Sequence, residues 1–192
     1  MSGRAPAESS PGERGFPERG SRELADLDQT HALGRELGAA LGAGDVVILT
    51  GPLGAGKTSL TQGLAEALAV SGRVTSPTFQ LARRHKPTEP GRPGLVHVDA
   101  YRLRADEDLE TSTDGVATKP SNPHALADEL ESLDLDEFLD TDVVVIEWGE
   151  GLGEMLTERP WLVRLERNDA ADTRTARWVR GPEGFPPGPA AE

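Results

Sequence analysis

Eight residues, Gly51-Pro52-Leu53-Gly54-Ala55-Gly56-Lys57-Thr58, carry the most specific chemistry in the chain. They fit the pattern G-x-x-x-x-G-K-[ST], whose glycines let the backbone curl until successive N–H groups converge on phosphate oxygens. Lys57 is the residue to reach the β- and γ-phosphates, and the Thr58 hydroxyl is the residue to hold Mg²⁺. Two carboxylates further along could complete such a site. Asp99 ends the run Leu95-Val96-His97-Val98-Asp99, and Glu147 ends Val143-Val144-Val145-Ile146-Glu147. If both strands run parallel to the one before the glycine loop, both acids point towards the phosphates, because ligands sit beyond the carboxyl ends of strands in such sheets. One acid can then hold the metal and the other can orient the attacking water.

The flanking sequence has the form this chemistry needs. Asp45-Val46-Val47-Ile48-Leu49-Thr50 reads as a buried strand, and Leu60, Leu64 and Leu68 line one face of a following helix. The start of that helix adds its partial positive charge to the loop. Gly51, Gly54, Ala55, Gly56, Lys57, Thr58 and Ser59 are therefore the candidate nucleotide-binding residues. Upstream, Leu33, Leu37 and Leu41 predict a helix that Asp28 or Thr30 could cap, with Gly42 and Gly44 ending it. Thr30 is placed near the nucleotide base in this reading, although a helix cap accounts for it equally well. Downstream, Arg73-Val74-Thr75-Ser76-Pro77-Thr78-Phe79 reads as a short strand and a hydroxyl-rich loop, sited where a loop sensing the γ-phosphate would lie. Thr78 is its candidate contact to nucleotide.

Composition sets the outer bounds. The 192 residues suffice for one α/β domain, and the lack of cysteine excludes disulfides and thiolate metal sites and suits a cytoplasmic protein. A net charge of −13 argues against broad, unassisted nucleic-acid binding. That charge is uneven. Arg73 to Arg104 holds seven Lys or Arg against two acids, whereas Ala105 to Glu158 holds seventeen acids against Lys119 alone. No apolar run exceeds four residues, too short for a membrane span or a signal peptide core.

The remaining pattern divides the chain into a disordered leader (1–20), one domain (21–180) and a Pro/Gly tail (181–192), with a polar insertion at about 111–123. Arg83 to Gly94 reads as an exposed loop, and Ala125 to Leu139 as a helix. The runs at Trp161–Leu165 and Thr175–Val179 read as an antiparallel hairpin at the sheet edge. The expected fold is α/β and P-loop NTPase-like: a mainly parallel sheet flanked by helices, with a C-terminal antiparallel strand pair.

Taken together, Gly51–Thr58, Ser76-Pro77-Thr78-Phe79, His97-Val98-Asp99-Ala100-Tyr101-Arg102-Leu103 and Ile146-Glu147-Trp148 resemble, in order and spacing, the TsaE family of bacterial ATPases needed to make threonylcarbamoyladenosine on tRNA. The resemblance spans about Thr30 to Val179. It implies a Mg²⁺-dependent ATPase that binds and cycles a threonylcarbamoyltransferase subunit with its inactive paralogue, tRNA being handled through those partners. It also implies that Lys57 and Thr58 serve phosphate and metal, Thr75–Phe79 a switch-like loop, Asp99 catalysis, Glu147 the metal, and Trp148 the aromatic beside it. Gly149 stands where many relatives carry proline, and the 111–123 insertion lengthens a connection that is short in most of them. Two other readings fit the same loop. One is a small-molecule kinase, with Arg83, Arg84 or Arg102 on a lid. The other is an assembly factor gated by ATP binding rather than turnover. A GTPase is disfavoured, because Thr118-Lys119-Pro120-Ser121 lacks the final acid of a base-reading motif.

Overall fold

The computed structural model describes residues 15–76, 81–101, 135–168 and 170–181. In chain order these form β1 (Arg19–Leu24), α1 (Leu27–Ala40), β2 (Val46–Thr50), α2 (Lys57–Leu68), β3 (Ala82–His85), β4 (Gly94–Asp99), α3 (Leu135–Leu139), β5 (Asp142–Glu147), α4 (Gly153–Leu156), β6 (Trp161–Asn168) and β7 (Thr173–Arg180). Among the described residues the strands make one seven-stranded sheet, ordered β1-β7-β6-β2-β5-β4-β3. The four central strands, β6, β2, β5 and β4, are parallel to one another. β7 and β1 then add antiparallel on one flank, and β3 adds antiparallel on the other.

The continuous apolar runs of β2 and β5 follow from their central position, since both faces are covered. Val47, Leu49, Val143 and Val145 face α1 and α2, together with Leu33, Leu37, Leu60 and Leu64. Val46, Ile48, Val144 and Ile146 face the other layer, where Leu135 and Leu152 meet them. The two helices of the first layer lie unusually close. A side chain at Gly34 would strike the Leu60 carbonyl, and one at Gly63 would strike the His31 carbonyl. That contact fixes α2, and with it the glycine loop, against the sheet.

Several local expectations change. Asp26, not Asp28 or Thr30, caps α1, accepting the Gln29 N–H at 2.8 Å. Thr30 is inside the helix and fully buried, its hydroxyl donating back to the Asp26 carbonyl at 3.1 Å. The C-terminal hairpin does not form the sheet edge, because β1 pairs along the outer side of β7. β1 begins at Arg19, inside the stretch read as disordered. Ala82–His85 is a strand and not part of a loop, whereas Arg73–Ser76 joins no ladder. The leader to residue 14, Thr78, the 111–123 insertion, residues 125–134 of the helix expected over 125–139 and the tail from 182 lie outside the described residues.

Candidate functional site

The loop between β2 and α2 takes its shape from glycines in left-handed conformations. Gly51 has φ 132°, Gly54 φ 76° and Gly56 φ 103°. Gly51 also lies so close to the Leu165 carbonyl of β6 that any side chain there would collide. Gly56 caps α2 with no side chain engaged, so the first N–H groups of Lys57, Thr58 and Ser59 keep the unsatisfied donors that favour an anion. Ala55 points its methyl into the core and offers only backbone to the loop.

Lys57 and Thr58 follow in the first turn. The Lys57 ammonium donates to the carbonyls of Gly51 at 2.7 Å and Pro52 at 3.0 Å. It also lies 3.7 Å from the centroid of the Trp148 ring, whose backbone has the left-handed φ of 62°. Burial disfavours its charge and lowers its pKa to about 8, even though Glu147, Asp99 and Glu150 pull the other way. The Tyr101 ring lies 5.5 Å from that of Trp148.

Of the two strand-end acids, Glu147 is the one that bonds to the first turn of α2. Glu147 is buried, and its Oε1 accepts the Thr58 hydroxyl at 2.9 Å. Asp99 is its register partner on β4, and the Ala100 N–H donates to the Glu147 carbonyl at 2.9 Å. Asp99 accepts the Ser76 hydroxyl at 2.8 Å on one oxygen and the Tyr101 N–H at 3.2 Å on the other. The loop after α2 is thereby tied to the acid. Thr50, at the end of β2, hydrogen-bonds Glu150.

Lys57, Thr58, Glu147 and Asp99 thus converge at the carboxyl ends of β2, β5 and β4. Thr30 lies to one side, its methyl carbon 3.6 Å from where a side chain on Gly56 would begin. His97 was not singled out by sequence reasoning. Fully buried on β4, it places Nε2 2.9 Å from Glu147 Oε1, so Nε2 carries the proton that is donated. The one available signal was its position two residues before Asp99, which puts both side chains on one face of the strand. Glu150 was passed over too, because a loop acid beyond a strand has no periodicity to mark it.

A hard cation fits these donors. The Thr58 hydroxyl and a Glu147 oxygen already lie within one coordination sphere, and both are oxygen ligands of the kind Mg²⁺ takes. Among the described residues no cluster of three or more His, Asp or Glu forms a complete cage.

A mixed sheet with four parallel central strands, a glycine loop feeding a helix, and acids ending the neighbouring strands define the P-loop NTPase-like class of α/β folds. The chain belongs to the TsaE family: residues 24–176 match the family model described as "Threonylcarbamoyl adenosine biosynthesis protein TsaE", and that family is involved in tRNA threonylcarbamoyladenosine biosynthesis. Proteins named "tRNA threonylcarbamoyladenosine biosynthesis protein TsaE" from Mycobacterium tuberculosis and Streptomyces coelicolor are similar to most of it. The first is 50% identical over 162 residues, covering 84% of this chain and 88% of the relative. The second is 49% identical over 142 residues, covering 73% and 82%. The crystal structure of Bacillus subtilis YdiB superposes with a TM-score of 0.58 over 85% of each chain at 22% identity, a likeness of fold.

Proposed function

We propose that this protein is a Mg²⁺-dependent ATPase that cleaves the β–γ bond of ATP in support of threonylcarbamoyladenosine formation on tRNA. In this reading it binds a threonylcarbamoyltransferase subunit and that subunit's inactive paralogue, and ATP turnover returns their complex to a competent state. The observation that carries the catalytic part is the meeting of Thr58 with Glu147 at 2.9 Å, one residue from Lys57 and one strand from Asp99.

The chain's own groups divide the work. Backbone N–H groups from Gly54 to Ser59 hold the phosphates, and the third Lys57 N–H, free of the Gly51 and Pro52 carbonyls, offsets charge on the γ-phosphate. Thr58 Oγ1 and Glu147 would hold Mg²⁺, which would supply positive charge to the phosphates when bound. His97 keeps the Glu147 carboxylate aimed at Thr58. Asp99 orients the attacking water, and its bond from Ser76 couples the following loop to the state of the site. The tRNA is handled through the partners, and the protein works in the cytoplasm. Among the described residues no helix is long and apolar enough to cross a membrane.

A second reading, an assembly factor gated by ATP binding alone, draws support from Lys57. Its ammonium is already engaged by two carbonyls and an aromatic face, so nucleotide arrival must rearrange groups next to Trp148 and Tyr101. Mg·ATP turnover by the purified protein, with and without the transferase pair and with Lys57→Ala as control, separates the readings. Low turnover that rises with the pair and vanishes in Lys57→Ala is expected. Pair assembly that needs ATP but proceeds without any phosphate release would establish the gated reading instead. Unchanged turnover in Lys57→Ala would refute the phosphate-loop assignment.

A further inference from the structure

The segment after α2 is tied to the rest of the fold at few points. From Gly72 to Thr75 no backbone–backbone hydrogen bond is made among the described residues. Val74 buries its side chain in the core shared with α1 and α2. Its carbonyl accepts the side-chain amide N–H of Gln62 at 2.9 Å. Two residues further on, the Ser76 hydroxyl donates to Asp99 at 2.8 Å. Gln62 thus stands at one end of a short chain of covalent and hydrogen bonds, with Asp99 at the other.

The base of that chain is rigid. Gln62 lies on α2 one turn beyond Thr58, past the residues that would face phosphate and metal. Its neighbour Gly63 fits so closely against the His31 carbonyl of α1 that any side chain there would collide, which fixes this turn of the helix. The amide therefore reaches from a held helix to a segment with no ladder of its own. A groove of about 360 Å³ opens over the contact, lined by His31, Gln62, Glu66, Arg73 and Val74 among others. Without the amide, the Val74 carbonyl could turn to water in this groove, and Ser76 would lose the orientation that presents its hydroxyl to Asp99.

We propose that Gln62 is a positioning residue for the reaction: by holding the Val74 carbonyl it sets Ser76, and through Ser76 the Asp99 carboxylate that orients the attacking water. This rests on the ATPase reading above and extends the working site to the solvent-facing side of α2. Gln62 is half-buried, and a hydrogen bond in reach of water contributes little to net stability. Its effect is therefore read in rate rather than in melting, because a misaimed catalytic group costs rate without costing affinity. A merely structural glutamine would act on fold stability alone.

The test is single-turnover phosphate release from prebound Mg·ATP with the transferase pair, beside Mg·ATP affinity and thermal melting of each full-length variant. Gln62→Ala should bind Mg·ATP and melt as wild type does, alanine being a good helix former, yet release phosphate about tenfold more slowly. Gln62→Lys can donate to the same carbonyl and should recover most of the rate, whereas Gln62→Glu has the same shape without the donor and should not. Ser76→Ala should show the same loss. The double variant Gln62→Ala, Ser76→Ala should lose no more than either single change, because both interrupt one chain. An unchanged rate in Gln62→Ala, losses that multiply in the double variant, or an affinity that falls with the rate would overturn the assignment while leaving the ATPase reading intact. No phosphate release from wild type with the pair would refute that reading itself, and this proposal with it.

Discussion

Nucleotide affinity should depend on pH in a window set by one buried ammonium. Lys57 is desolvated between the loop carbonyls and the Trp148 ring, and its pKa falls from 10.5 to about 8. A bound polyphosphate favours the charged form and raises that pKa again, so the complex holds a proton that the free protein has begun to release. Affinity is therefore close to full at about pH 7 and falls as pH rises through the free-protein value of about 8. The magnitude follows from the two protonation equilibria. Moving from about pH 7 to about pH 9.5 reduces the protonated fraction from about nine-tenths to roughly one-thirtieth, a loss of about 30-fold in affinity. A lysine left at its ordinary value would give a change of only ~1.1-fold over the same range. Restoring that value on binding corresponds to about 3 kcal/mol of interaction between the ammonium and the phosphates. Calorimetry across this range, in two buffers of different ionisation enthalpy, measures both the affinity and the proton taken up. A flat affinity profile with no proton uptake at about pH 9 would show that the Lys57 ammonium is not desolvated between the loop carbonyls and the Trp148 ring.

Other expectations follow from contacts of the same kind. Glu147→Ala should weaken Mg·ATP by about tenfold and metal-free ATP far less, as titrations with and without EDTA would reveal. His97→Ala leaves the buried Glu147 carboxylate short of a donor, which should cost about 1–3 kcal/mol in urea unfolding. At the far end of the sheet, Arg180 pairs with Asp45 at 2.9 Å, both side chains only 9% exposed. Arg180→Ala should destabilise by about 3–5 kcal/mol through loss of this buried ion pair, with nucleotide affinity unchanged at a temperature where the variant remains folded.

The glycine loop was legible in the sequence because its chemistry is written in backbone terms. Positive φ at Gly51, Gly54 and Gly56 requires glycine, and Lys57 and Thr58 must follow at fixed offsets on the first helical turn. β2, β4 and β5 were legible because strands covered on both faces need unbroken apolar runs. β1 was not. It joins the sheet through backbone pairing with β7, and only Leu24 of its six residues is buried, so no alternation marks it. β3 hid inside a basic, proline-rich stretch for the same reason: only His85 of its four residues is buried. Thr30 shows the limit of local rules, since Asp26 supplies the cap and tertiary packing draws Thr30 into the helix beside Gly56. His97 depends on which strands become neighbours. Nothing within ten residues of it indicates Glu147.

In the proposed mechanism the acids at the ends of β4 and β5 turn a phosphate-binding loop into a hydrolytic site. Its most direct test is single-turnover release of inorganic phosphate from prebound Mg·ATP, in the presence of the transferase pair, by wild type and Asp99→Ala at matched nucleotide occupancy. The wild type should release phosphate, while Asp99→Ala should retain ATP with its release rate reduced by at least about 100-fold. Equal rates at equal occupancy would contradict the claim and leave Asp99 as no more than the acceptor that ties down Ser76.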